Sequence, residues 1–170
     1  DIDLIWAVSD ATTIGVKAQF LDSTYDRLEL VSDPGTGRYG CASAGVSGGL
    51  ETFDCSGQNL VYSPETALDL NIGHILELGN FELHGYLDVR YRDDQNTDNS
   101  FLPELVADSH TLLDLEISLR PRDSNWSVAA YGRNLSDERI FVSTNVSRFG
   151  PFHGIYSPPR TYGVRFGIEF

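Results

Sequence analysis

Strict period-two alternation of apolar and polar side chains constrains this chain most, because successive residues of a strand point to opposite faces of a sheet. In Phe81–Arg92 the odd positions are Phe81, Leu83, Gly85, Leu87, Val89 and Tyr91, against Glu82, His84, Tyr86, Asp88, Arg90 and Arg92 at the even ones. Leu113, Leu115, Ile117 and Leu119 alternate with Asp114, Glu116, Ser118 and Arg120. Tyr162, Val164, Phe166, Ile168 and Phe170 alternate with Gly163, Arg165, Gly167 and Glu169. Four looser segments group Ile2, Leu4, Trp6 and Val8; Ile14, Val16, Ala18 and Phe20; Leu68, Leu70, Ile72, Leu76 and Leu78; and Trp126, Val128, Ala130 and Gly132. His74 interrupts the third set and predicts a bulge, a local reversal or an interfacial position. Helical periodicity is almost absent and no internal repeat occurs, so an all-β fold of seven strands is expected.

The links between strands alternate in length. Ser9–Thr12, Gly79–Asn80 and Arg122–Asn125 are short and turn-rich, whereas Asp26–Ser63, Asp93–Ser109 and Ser136–Pro159 are long. A soluble sandwich has no reason to gather every long loop at one end; a transmembrane antiparallel barrel does, with short periplasmic turns and long extracellular loops. Phe81 to Tyr91 covers roughly 33 Å of strand, or about 23 Å of height at a tilt near 45°, close to the apolar band of about 25 Å that such barrels present to lipid. Trp6, Phe81, Trp126 and Phe170 then fall near the short-turn rim, and Phe20, Tyr91 and Tyr162 near the other, where amphipathic rings suit an interface. The competing architecture is a soluble β-sandwich binding module, with Leu113, Leu115, Ile117 and Leu119 pointing inward.

Composition removes other classes. Acidic residues outnumber basic ones 25 to 12, a formal charge of −13 that repels phosphate backbones, so no nucleic-acid partner is expected. No apolar run approaches the roughly 20 residues of a spanning helix. Two Cys are too few for a disulfide scaffold or a four-thiolate zinc site. No Gly-x-Ser-x-Gly elbow, His-Glu-x-x-His helix or phosphate-binding Gly loop occurs, so neither an enzyme nor a cofactor is expected. The chain opens on Asp1-Ile2-Asp3-Leu4 without an initiator Met or visible signal peptide, and reads as the C-terminal part of something larger.

The stretch Trp126-Ser-Val-Ala-Ala-Tyr-Gly-Arg-Asn-Leu-Ser-Asp-Glu-Arg139, with Tyr156-Ser-Pro-Pro-Arg-Thr-Tyr-Gly-Val-Arg-Phe-Gly-Ile-Glu-Phe170, resembles the end of TonB-dependent outer-membrane receptors. That family typically closes with a Trp-led strand into Gly-x-Asn-Leu-x-Asp, a long loop, then Pro-x-Arg-x-Tyr-Gly and a terminal Phe. Tyr91-Arg92-Asp93-Asp94, Tyr62-Ser63-Pro64-Glu65 and Leu21-Asp22-Ser23-Thr24-Tyr25-Asp26 also sit where similar family segments occur. The resemblance implies a C-terminal segment, residues 1–170, of the last seven strands of a 22-stranded plugged barrel in the bacterial outer membrane. It also implies energised uptake of a scarce ligand: a siderophore–iron complex, cobalamin or an oligosaccharide. The implied partners are outer-membrane lipid, the remaining strands and plug of the parent receptor, the TonB–ExbB–ExbD complex acting through absent N-terminal segments, and the barrel-assembly machinery. A passive porin or another outer-membrane barrel is the nearest alternative function.

Tyr162, Val164, Phe166, Ile168 and Phe170 look like the terminal signal read by the barrel-assembly machinery, although any lipid-facing strand needs the same alternation. Cys41 and Cys55 lie in one loop assembled in an oxidising compartment, so a disulfide is expected, worth roughly 3 kcal/mol for a loop of about 15 residues. Ligand contacts in such receptors come from the loops and upper lumen, which nominates Arg90, Arg92, His110, Arg133 and Arg160, since grouped Arg hold anions bidentately. Against this, barrel interiors are laced with Arg–carboxylate pairs, and Asp88, Asp114 and Glu116 supply partners. The four His (74, 84, 110 and 153) lack metal-ligand spacing, and Asp93–Asn99 lacks the Gly and distal Glu of a calcium loop, so no metal site is expected.

Overall fold

The alternating segments pair in the order in which they occur. In the computed structural model, which describes residues 1–146 and 152–169, β1 (Ile2–Ser9) and β2 (Thr12–Phe20) form the first hairpin. The first long link carries β3 (Glu29–Ser32), β4 (Ala42–Ser47) and β5 (Leu50–Asp54). Next come β6 (Thr66–Leu78) and β7 (Phe81–Arg92), joined by the Gly79–Asn80 turn, in which Gly79 takes the positive φ that a tight hairpin demands. The second long link holds β8 (Gln95–Asn96), a single 3₁₀ turn at Pro103–Leu105 and β9 (Val106–Ala107). Then follow β10 (His110–Pro121), β11 (Trp126–Arg133), the loop hairpin of β12 (Phe141–Val146) and β13 (Phe152–Tyr156), and β14 (Thr161–Ile168).

β1, β2, β6, β7, β10, β11 and β14 build one antiparallel sheet in that order, with β1 and β14 as its edges. These seven are the strands that alternation predicted. The sheet is open, and β1 and β14 are not paired with each other.

Register decides what alternation alone could not. Leu115 sits opposite Leu87 and Gly132, Ile117 opposite Gly85 and Ala130, and Val164 opposite Ala130 in turn. Leu70 lies opposite Val16 and Val89, and Ile72 opposite Ile14 and Leu87. Because parity is preserved along the pairings up to the shift at the end of β1, the apolar sets of the seven strands merge into one face, and the ionic sets into the other.

Most of that apolar face is uncovered among the described residues, although Leu135 folds over Gly132 beside Leu115. Val164 is 74% exposed, Phe166 67%, Ile117 43% and Leu115 37%. The dry interior that a two-sheet sandwich needs is therefore missing. At the short-turn end Trp126 lies between Phe81 and Phe166, with ring centroids 6.4 and 6.5 Å away.

Two details depart from the expected pattern. Val8 falls at the register shift between Ala7 and Ser9, so alternation in β1 ends one turn of pleat early. His74 lies on the apolar face without a bulge, because register runs unbroken through Thr12 and Gly85 on either side. It sits level with the β1–β2 turn, where Thr12 Oγ1 is 2.8 Å from its Nδ1 and gives the ring a polar partner. Phe170 lies outside the described residues.

The deepest burial is in the long links, which alternation did not resolve into strands. Phe53, Cys55 and Phe101 form a small core, with Tyr25, Leu28, Leu30, Tyr39, Cys41 and Val61 packed on it. Their alternation is too short, and too broken by Gly and Ser, to register as a sequence period.

Candidate functional site

The polar face carries a ladder of ion pairs. Arg90 lies between Asp88 and Asp114, at 2.9 and 2.8 Å. Arg133 reaches Glu116 at 3.2 Å and Asp114 at 3.8 Å, and Arg165 reaches the other side of Glu116 at 3.7 Å. The Tyr131 ring lies beside both guanidinium groups, 5.8 Å from Arg133 and 5.5 Å from Arg165. Arg92 sits opposite Ala67 but extends diagonally to Asp69, donating to both carboxylate oxygens at 2.9 and 3.2 Å. Long side chains reach diagonal partners across a sheet more readily than their register would suggest.

The five residues nominated as ligand contacts do not all meet. Arg90 and Arg133 share Asp114; Arg92 is held by Asp69. His110 is buried, with Nδ1 2.9 Å from the Asp108 carbonyl oxygen. Arg160 precedes β14 and pairs with Asp137 at 3.0 Å. Each guanidinium already faces a carboxylate, which removes most of its pull on a ligand anion.

Asn134, from the Gly-x-Asn-Leu-x-Asp stretch, adopts the left-handed conformation, which Asn tolerates better than most residues. Its amide donates to the Glu138 and Pro158 carbonyl oxygens and accepts from Glu138 N–H, while its own N–H donates to Asp114. One residue, through its side chain and its backbone N–H, thus ties the top of β11, the third long link and the ion-pair ladder together.

The long links themselves interlock. Cys41 and Cys55 are joined by a disulfide with Cα atoms 5.1 Å apart. Gly40 N–H donates to Ser100 O at 2.8 Å, and the backbones approach so closely that a Cβ at Gly40 would collide with the Phe101 carbonyl. Tyr25 meets Phe101 edge-on at 6.0 Å. Thr97 and Thr144 hydroxyls lie 2.7 Å apart, joining the second link to the third. Outside any strand's membrane-facing span, the Ser56 hydroxyl and then its N–H hold the Asp54 carboxyl below the usual carboxylate range, with desolvation opposing them and Arg27 adding to them.

This interlocking encloses a groove of about 690 Å³ lined from all three long links. Sequence reasoning missed it, and the Cys pair was the one local signal that the first link is ordered. Of the terminal-signal residues, Tyr162, Val164, Phe166 and Ile168 lie on the apolar face of edge strand β14.

The chain is similar to a solved structure, the ferric yersiniabactin uptake receptor FyuA from Yersinia pestis, with a TM-score of 0.70 and 11% identity. The fold resembles part of a barrel receptor. The match covers 99% of this chain but 22% of the receptor, so the chain spans about a fifth of its length. No family model matches, and no curated protein matches.

Proposed function

We propose that this chain forms the C-terminal part of the wall, with three surface loops, of a TonB-dependent transporter in the bacterial outer membrane, and that the whole protein imports a scarce ligand without chemical change. The observation that carries this reading is the largely uncovered apolar face of the seven-stranded sheet, backed by a ladder of ion pairs on the other face. In water the first would cost free energy across its whole area, and in lipid it costs none. The second suits a wet bore, where paired charges are tolerated. Similarity of fold to an uptake receptor supports the same assignment.

On this reading the remaining strands and the plug complete the barrel, TonB–ExbB–ExbD supplies energy through segments outside this chain, and the β14 edge with Phe170 is presented to the barrel-assembly machinery. Arg90, Arg92, His110, Arg133 and Arg160 shape the upper lumen and loop base, with any ligand contact made through their paired state. The test is fractionation and transport of the full-length protein. Heat-modifiable gel migration, recovery in the outer-membrane fraction and growth-limiting uptake that disappears without TonB are expected. Recovery as a detergent-free soluble protein would refute the assignment.

A further inference from the structure

We propose that the Cys41–Cys55 disulfide is a redox-operated latch, an inference that uses only contacts among the loops and so stands apart from the receptor reading. Closed, the bridge seats the second long link on the first. Opened by an external dithiol, it lets that link go.

The weak point of the first link is the open end of the β4–β5 hairpin. β4 is built from Ala, Ser and Gly around one Val, is exposed along its length and is bulged between Ser43 and Gly45. Its ladder ends where Ala42 meets Asp54, and Cys41 and Cys55 come next on the two strands. The disulfide thus closes the hairpin at the point where backbone pairing stops, and without it that end frays. Cys55 is held in addition by its N–H, which donates to Leu28 O at 2.8 Å. Opening the bridge therefore frees chiefly Cys41 and Gly40.

Those two residues form one wall of the socket that takes Phe101. Gly40 N–H donates to Ser100 O at 2.8 Å, and its backbone lies too close to the Phe101 carbonyl to admit a Cβ. The Phe101 side chain is buried with Phe53 and Cys55 and meets Tyr25 edge-on. Phe101 also has a φ of 55°. A bulky residue avoids that left-handed conformation, and it persists only where the surroundings impose it. Burial of the ring opposes the strain of the backbone, so removing one wall of the socket favours release.

Access and chemistry agree. Cys55 is 1% exposed, whereas Cys41 is half-buried. A thiolate of the dithiol attacks the Cys41 sulfur, the S–S bond breaks, and Cys55 leaves as a thiolate that takes up a proton. The second thiolate of the reagent then displaces Cys41, which is protonated in turn. Two electrons pass to the cystine, and the dithiol ends as a disulfide. Coupling of this kind is reciprocal: the factor by which the closed bridge favours docking is the factor by which docking favours the closed bridge.

The experiment equilibrates the full-length protein in detergent with reduced and oxidised dithiothreitol, alkylates the free thiols, and reads amide hydrogen exchange by mass spectrometry. Reduction is expected to raise exchange in residues 98–102 about tenfold or more, while β7 and β10 keep their protection. Gly40→Ala evicts Phe101 with both cysteines in place. It is expected to reach that exchange while still oxidised, and to shift the dithiol equilibrium toward the thiols by the same factor. Phe101→Ala, which empties the socket without touching Gly40, is expected to give the same shift, and intact protection of β7 and β10 checks that each variant is folded. Residues 98–102 equally protected after reduction overturn the proposal. So does a bridge that dithiothreitol opens only when β7 and β10 unfold, or a dithiol equilibrium unmoved in both variants.

Discussion

Leu115→Lys tests which way the apolar face points. β10 spans 12 residues, and its eleven steps cover about 36 Å, or about 26 Å of membrane thickness at a tilt near 45°. Leu115 is five steps from His110, so it falls about 12 Å below the upper end of the strand, close to the middle of the hydrocarbon. It lies opposite Leu87 and Gly132 on the apolar face. Lysine at the midplane of a barrel's lipid face costs about 2–4 kcal/mol, a fall of roughly 30- to 900-fold in the folded-to-unfolded ratio. Were the same face in water, a substitution at a position 37% exposed would change stability by no more than about 0.5 kcal/mol. Tyr86→Lys is the control: Tyr86 is on the polar face, directly opposite Glu116, and 46% exposed. A lysine there gains a cross-strand carboxylate and is expected to stay within about 1 kcal/mol of the wild type. The assay is equilibrium urea unfolding of the full-length protein in phospholipid vesicles, followed by tryptophan fluorescence and gel migration. Equal stability of the two variants, or a larger loss for Tyr86→Lys, would refute the lipid-facing orientation.

Three further outcomes are expected. Replacing Cys41 and Cys55 with Ser should loosen the first long link by about 3 kcal/mol in the chain-entropy model, read as faster limited proteolysis within residues 26–63 while the sheet stays resistant. Asp114→Asn removes the carboxylate charge shared by Arg90 and Arg133; a loss of about 1–3 kcal/mol is expected, measured by the same unfolding assay, and a neutral result would mean that the ladder adds nothing to stability. Ser56→Ala should raise the Asp54 pKa toward the ordinary carboxylate value, observable by NMR titration. Since the folded-state pKa is depressed, the associated stabilisation is present above the unfolded value and disappears as pH falls through the lower folded one; in the variant that acid-side loss should diminish.

Much of the fold was legible because side-chain parity is a local property of a strand. Period two assigns Leu113, Leu115, Ile117 and Leu119 to one face whatever lies beside them, and hairpin turns as short as Gly79–Asn80 leave consecutive strands little choice but to pair. The sequence by itself therefore determined the seven strands, their antiparallel order and the separation of oily from ionic faces. It also supplied the carboxylates Asp88, Asp114 and Glu116 as partners for arginine.

Only the folded chain shows which partner each arginine takes and where the long links meet. Arg92 pairs with Asp69 diagonally across two strands, and a diagonal choice depends on twist and side-chain reach, neither of which alternation encodes. The long links meet at Gly40 against Phe101 and at Thr97 against Thr144, contacts between segments about fifty or sixty residues apart in sequence. Long loops have no period to reveal such meetings. They become visible only once the sheet has fixed the loop ends and brought the intervening chain together.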